Sequence, residues 1–415
     1  MAITATADLS NSRQQVLQAE YDLGLLKKYV YAQEPLVWSP PGAILGPGRH
    51  FSSAAFPFYF TLAPTNSTLS ETADVTPTTM TDAAVTVTPA MYGRTIQQSE
   101  FLALTATPNT EMAALDLVID DAARSQDYLA RSAAIGGAVV AYGGDATSRA
   151  TVSPAATADT PTNANFHGAI DFLAAAPKLE QGIGFGAGLV CVTRNAVIGD
   201  LLQSTAVLLS GEYGARPEVI FNGEFGAHLS GVRLIVSDNA KIFHGAGASG
   251  AAATGGLATG VVPGATSIDI KATMASGANG DYYCIGTVES AANGESSVVE
   301  TVYIAAGAPA SSQTLSIVGG GANGGFMYSH SSGTNTVTHA YQVYTMVFMG
   351  ARALIKSYST ENGLGPNGRI LAPKVVGSLE QFKSWGWKAL VGYQIAAENR
   401  IYRLECASSH FTIGQ

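Results

Sequence analysis

The sequence predicts an α+β protein, and three stretches carry that expectation. Residues 82–104, DAAVTV followed by TPAMYGRTIQQSEFLAL, read as one strand-like run. At about 3.3 Å per residue it would extend roughly 70 Å, far beyond an ordinary strand. Residues 107–135 read as a single long helix, and between 160 and 240 helix and strand signals alternate.

The elements follow in chain order. Residues 1–50 combine a short helical stretch, SRQQVLQAEYDLGLLKKYV, with PLVWSPPGAILGPG, whose Pro and Gly content suits an extended arm. FSSAAFPFYFTLAPT, residues 51–65, is strand-like and predicts a large hairpin with the run that ends near 105. The faces of that run are unsorted. Val85 and Val87 share a side with Thr95 and Gln97, and Tyr92 shares one with Arg94 and Gln98. No compact core covers such a strand, so Val85, Val87, Tyr92, Arg94 and Ile96 are candidate contacts with another chain.

For the helix, Thr107 is a candidate N-cap and Pro108 suits the first helical position. Met112, Leu115, Ile119, Ala122 and Leu129 predict its apolar stripe, and Gly136–Gly137 predict its end. NFHGAIDFLAAA and RNAVIGDLLQS then read as helices, and GLVCVT and GVRLIVSD as buried strands. GAGASGAAATGG, from 245, reads as a low-complexity linker. Short strands separated by turns follow it, with Asn293–Gly294 and Asn323–Gly324 as turn signals, so 261–337 reads as an inserted all-β module. The chain returns to long apolar strand in AYQVYTMVFMGARALI and closes with WGWKALVGYQIAAENRIYRLECAS.

Composition narrows the function. Charged residues are 13% of the 415, against a typical quarter, and small residues fill the gap. A surface of that kind suits a protein that buries much of its outside against other subunits. The net charge of −9 has the wrong sign for a phosphate-binding surface. Cys191, Cys284 and Cys406 make no disulfide framework, and Cys191 in GLVCVT reads as an inert buried thiol. MAITATADLSNSRQQ lacks the basic start and apolar block of a signal peptide, and no run of 18 apolar residues exists.

No motif points to catalysis, a cofactor or a metal. The glycines of GIGFGAG, 182–188, precede their strand, whereas a nucleotide loop follows one. GxSxG, HExxH and CxxC are absent, and the histidines are scattered. Asp269, Asp281, Glu289, Glu295 and Glu300 lack a calcium-loop pattern and read as a solvated face. Trp385 and Trp387, beside long apolar strands, read as structural anchors.

Three blocks resemble a known family. LSETADVTPTTMTDAAVTVTPAMYGRTIQQSEFL is similar to the hairpin return of the N-four type of tailed-bacteriophage major capsid proteins, with the Tyr92–Gly93 pair. NGEFGAHLSGVRLIVSD resembles the Gly-Glu-x-Gly segment and Gly-x-Arg strand of that group, here Gly223, Glu224, Gly226, Gly231 and Arg233. SLEQFKSWGWKALVGYQIAAENRIYRLE resembles the closing segment, with Gly386-Trp387-Lys388.

The resemblance implies a Hong Kong 97-like capsid fold: N-terminal arm (1–50), extended loop (51–106), spine helix and peripheral domain (107–159), axial domain (160–244), linker and inserted β module (245–340), and return strands (341–415). It implies a structural, non-enzymatic protein that self-assembles as hexamers and pentamers around packaged double-stranded DNA, without specific DNA binding. It further implies a virion protein assembled in the host cytoplasm, with scaffold, portal or decoration proteins as conceivable partners and no membrane. The arm and the loop would lie across a neighbour. The lysine by which the type member links its subunits has no counterpart, since residues 51–107 contain none. An encapsulin-type compartment shell, or a β-rich surface or glycan-binding protein, are the alternative readings.

Overall fold

The computed structural model describes residues 17–25, 28–33, 36–46, 51–59, 68, 77–80, 82–105, 110–154, 159–175, 189–203, 228–229, 232–269, 282–286, 300–306, 314–332, 336–376 and 381–410. They fall into two compact units, Met1–Ala130 with Leu354–Ala396, and Arg131–Ala353 with Ala397–Gln415. The expected cap at Thr107 and Pro108, the glycines 182–188, Gly223 to Gly226, Gly231 and the turn Asn293–Gly294 lie outside the described residues.

In the first unit the strand Phe382–Ile395 is the middle of a six-stranded sheet. One of its edges pairs antiparallel with Ala90–Ser99, from Val391↔Ala90 to Phe382↔Ser99. The other pairs with Leu354–Ser359 and Arg369–Val376, which lie end to end along it. Gly93 sits where the two long strands approach closely: a Cβ there would lie 2.6 Å from the Trp387 carbonyl oxygen. That contact explains a glycine beside Tyr92.

The run 82–104 is not one strand. It is Asp82–Val87, then Ala90–Ser99, then a short helix, Glu100–Thr105. Pro89 makes the first break, because proline lacks an N–H and restricts the residue before it. Ser99 makes the second: its Oγ accepts the Leu102 N–H at 3.2 Å, a capping contact, and Glu100 suits a helix N-terminus. Only the first piece forms the expected hairpin, pairing with Ala54–Tyr59.

The described part of the arm packs on its own unit. Val37–Trp38 and Ile44–Leu45 pair in parallel with Leu354–Ser359, and Tyr21, Leu25, Tyr31 and Leu36 are fully buried. Tyr21 donates its hydroxyl to the Asn367 carbonyl at 3.0 Å. Apolar burial of this kind contributes about 1.5–3 kcal/mol per large side chain.

The long helix spans Thr110–Ile135. Within the first unit its buried line is Ala114, Val118, Ala122, Gln126 and Ala130, stepping by four, with Ile119, Ala123 and Asp127 beside it. Met112, expected in the stripe, is 64% exposed instead. It lies two positions from Ala114, off the line that small residues define.

In the second unit Val343–Met349 is buried at every position and pairs with Ile401–Cys406 on one side and Leu189–Thr193 on the other. Val232–Val236 runs parallel to Leu189–Thr193. The helices Asn163–Phe172 and Asn195–Gln203 add Phe166, Ala169, Val197 and Leu201 to the core of this sheet. Cys191 is fully buried there, and burial pushes its thiol pKa well above the usual value.

A second, six-stranded antiparallel sheet holds the β-rich segment. Ser249–Gly256, expected as linker, is one of its edge strands, pairing with Thr336–Ala340. Small residues satisfy their main-chain groups in a sheet as well as in a loop, so composition misread the state. Leu257, Ile268, Tyr283, Ile285, Val302, Phe326 and Val337 form a separate core. Asn323 and Gly324 both have positive φ, 57° and 72°, the conformation an Asn-Gly turn supplies. Glu300, expected on a solvated face, is 0% exposed.

Candidate functional site

The outer edge of Ala90–Ser99 is exposed as an unpaired strand edge among the described residues. One edge pairs within the unit; among the described strands none pairs with the other. An open edge of this length is a template for another chain. Large apolar side chains on this strand and on the two helices that follow it are exposed. Met91 is 65% exposed, Phe101 76%, Met112 64% and Leu117 60%, with Tyr92 and Leu102 also exposed. Single exposed apolar residues are ordinary, whereas several on one strand and the helices after it are less so.

The candidate contacts divide. Val87 is buried and Val85 half-buried, both packed with Ile355, Ala396, Trp38 and Phe56 in their own unit. The strand break explains this, since Asp82–Val87 belongs to the hairpin and turns one face inward. Val87 belongs to that core and Val85 packs against it. Tyr92 and Arg94 are exposed, and Ile96 is half-buried opposite Trp385. Tyr92 borders a shallow groove with Arg124, Ser125, Tyr128 and Leu129 of the long helix. Trp385 and Trp387 are both buried.

Carboxylates on the long helix lock this surface, and the sequence reading missed them. Asp121 receives Arg94 at 2.8 Å and the Trp387 indole N–H at 2.8 Å. Glu111 pairs with Lys383 at 2.8 Å, and Asp120 with Lys28 at 3.0 Å. Asp127 Oδ1 accepts three successive main-chain N–H groups, from Val30, Tyr31 and Ala32, at 2.9, 2.6 and 3.1 Å. Asp127 carried a readable signal: an acidic residue one step from Ala123 and Ala130, inside the helix's buried face.

Among the described residues no group of His, Cys, Asp and Glu is placed to hold a metal ion, and no helix is long and apolar enough to cross a membrane.

No protein-family model matches the sequence, and no curated protein does. Solved structures do. The capsid of Ralstonia phage GP4 aligns over 93% of this chain and 93% of its own, with a TM-score of 0.55 and 11% identity. The cyanophage Pam1 capsid aligns over 91% and 92%, at 0.47 and 12%, and the capsid of Helicobacter pylori bacteriophage KHP30 over 91% and 89%, at 0.47 and 10%. At such identity the likeness to the GP4 capsid is one of fold. This chain has that α+β, Hong Kong 97-like fold along nearly its whole length.

Proposed function

We propose that this chain, having the Hong Kong 97-like fold, is the major capsid protein of a tailed bacteriophage, many copies of which tile an icosahedral shell around the phage DNA. The observation that carries the reading is the edge of Ala90–Ser99, unpaired among the described strands, together with exposed Met91, Phe101, Met112 and Leu117 on that strand and the helices after it. A monomer gains nothing from such a surface; a self-assembling subunit buries it.

Tyr92 and Arg94 are the proposed contact residues, with Ile96 behind them. Hexamers and pentamers are the proposed capsomers, the virion the proposed location, and the DNA is enclosed without specific recognition. Residues 51–106 act as the extended loop, 107–159 as spine helix and peripheral domain, 160–244 as axial domain, and the β module as an insertion. The N-four type rests on the three sequence blocks alone. The same fold would serve an encapsulin-type shell, which holds protein cargo.

Negative-stain microscopy of the expressed chain tests the reading: closed shells support it, and monomers at all concentrations overturn it. Nuclease-protected DNA in virion-derived particles separates a virus from a cargo compartment.

A further inference from the structure

Arg403 and Glu405 lie two residues apart on the strand Ile401–Cys406, and so share one of its faces. Neither reaches solvent, their side chains being 2% and 0% exposed. Glu405 is already taken. Arg149, from the helical turn Arg149–Thr151, holds it as a fork, with Nε 2.8 Å from Oε2 and Nη2 2.6 Å from Oε1. The same guanidinium lies on the Phe243 ring, 3.5 Å from its centroid. Arg403 is left with an ion pair, Nε 3.0 Å from Oε1, whose geometry makes no hydrogen bond. Its Nη1 is buried and finds no acceptor in the chain.

Two buried guanidiniums therefore share one carboxylate. Asp159, also buried, meets the same strand at Ala407, yet it accepts the Ser153 N–H at 2.8 Å and makes no ion pair among the described residues. Glu398 is exposed and accepts the Ala138 N–H. Lys241, buried as well, brings a third positive charge to 5.5 Å from the Phe243 ring centroid. Burial lowers the Arg403 pKa, while Glu405 opposes that shift and Arg149 adds to it. A guanidinium stays charged even so, and a buried charge without a full set of partners is strongly unfavourable.

We propose that Arg403 Nη1 holds a small inorganic anion of the chloride class, the buried counter-ion that Glu405 alone does not supply. A water molecule accepts from Nη1 equally well, but it brings no negative charge to two cations on one carboxylate. A carboxylate or phosphate borne on a larger molecule needs an opening to solvent, and almost none of Arg403 reaches the surface.

Urea unfolding of the full-length protein in sodium chloride and in sodium gluconate, at equal ionic strength, tests the site. Once chloride exceeds its dissociation constant, the unfolding equilibrium constant should fall about tenfold for each tenfold rise in chloride, relative to the gluconate series. Arg403→Met, which removes the charge, should lose the difference between the salts. Glu405→Gln, which leaves both guanidiniums without a carboxylate, should widen it. Crystals grown in sodium bromide should show an anomalous peak beside Arg403 Nη1. Identical chloride and gluconate series in the wild-type protein overturn the proposal whether or not the variants fold. So does an undiminished difference in Arg403→Met, or density beside Nη1 without anomalous signal, which is a water.

Discussion

Trp387 donates its indole N–H to Asp121 Oδ2 at 2.8 Å, joining the middle strand of the first sheet to the long helix. The indole is 3% exposed, and the other oxygen of Asp121 holds Arg94 of the strand next to it. Helix, middle strand and edge strand meet in that carboxylate.

Trp387→Ala should destabilise the monomer by about 3–5 kcal/mol, as large-to-small core changes do. Asp121→Ala should cost less, about 1–3 kcal/mol, because it strands one buried donor and an Arg94 that is largely exposed. Urea unfolding measures both, and equal losses would show that the indole's packing counts for little.

Phe101→Asp should leave monomer stability within about 0.5 kcal/mol and yet suppress shells, because the ring is 76% exposed and pairs with nothing in its own unit's core. Thermal melting and electron microscopy together read this. Normal shells would remove Phe101 from the contact surface.

Particles should dissociate to full-length monomer in hot detergent, since residues 51–107 contain no lysine for a covalent link from the loop. A ladder of covalent oligomers on a denaturing gel would contradict this.

The β module should be removable. Ser249 lies opposite Ala340 in neighbouring strands, and Gly247 donates its N–H to Tyr341 at 3.0 Å, so the two ends of the module are already side by side. Replacing 249–340 by a short Gly/Ser turn should keep the host core folded and shells of normal diameter, with density lost from the outer face. Insoluble protein, or density lost from the inside, would refute this placement.

Acid should weaken the second unit through His244. Burial, followed by the charges of Lys241 and Arg194, lowers its pKa to about 3. The folded state holds the ring neutral while the unfolded chain protonates it near 6.5, so its contribution is present above that value and drains away as pH falls toward about 3. Urea midpoints across that range should fall less steeply in His244→Gln, and parallel curves would show that another group dominates.

Much of the fold was legible because its signals are local. GLVCVT and VYTMVFM are apolar at nearly every position and read as buried strands, and GVRLIVSD carries the apolar run LIV between polar residues. The helix declared itself by length and by the glycines after it, and Asn323–Gly324 declared a turn. Of the candidate contacts, Tyr92 and Arg94 are exposed as read, while Val85 and Val87 turned inward once Pro89 separated their strand from the next.

What the tertiary structure alone decided is partnership. Ala90–Ser99 pairs with a strand nearly three hundred residues away, and no periodicity names that partner, because a pleat records which face is apolar and not which edge is covered. The same holds for the arm, whose Pro- and Gly-rich sequence permits an extended path anywhere, until Asp127 and Leu354–Ser359 fix it on its own unit. Glu300 read as solvated because a carboxylate is normally cheapest in water; three donors from one distant loop reverse that balance. Periodicity belongs to the segment, whereas burial and pairing belong to whatever the rest of the chain brings against it.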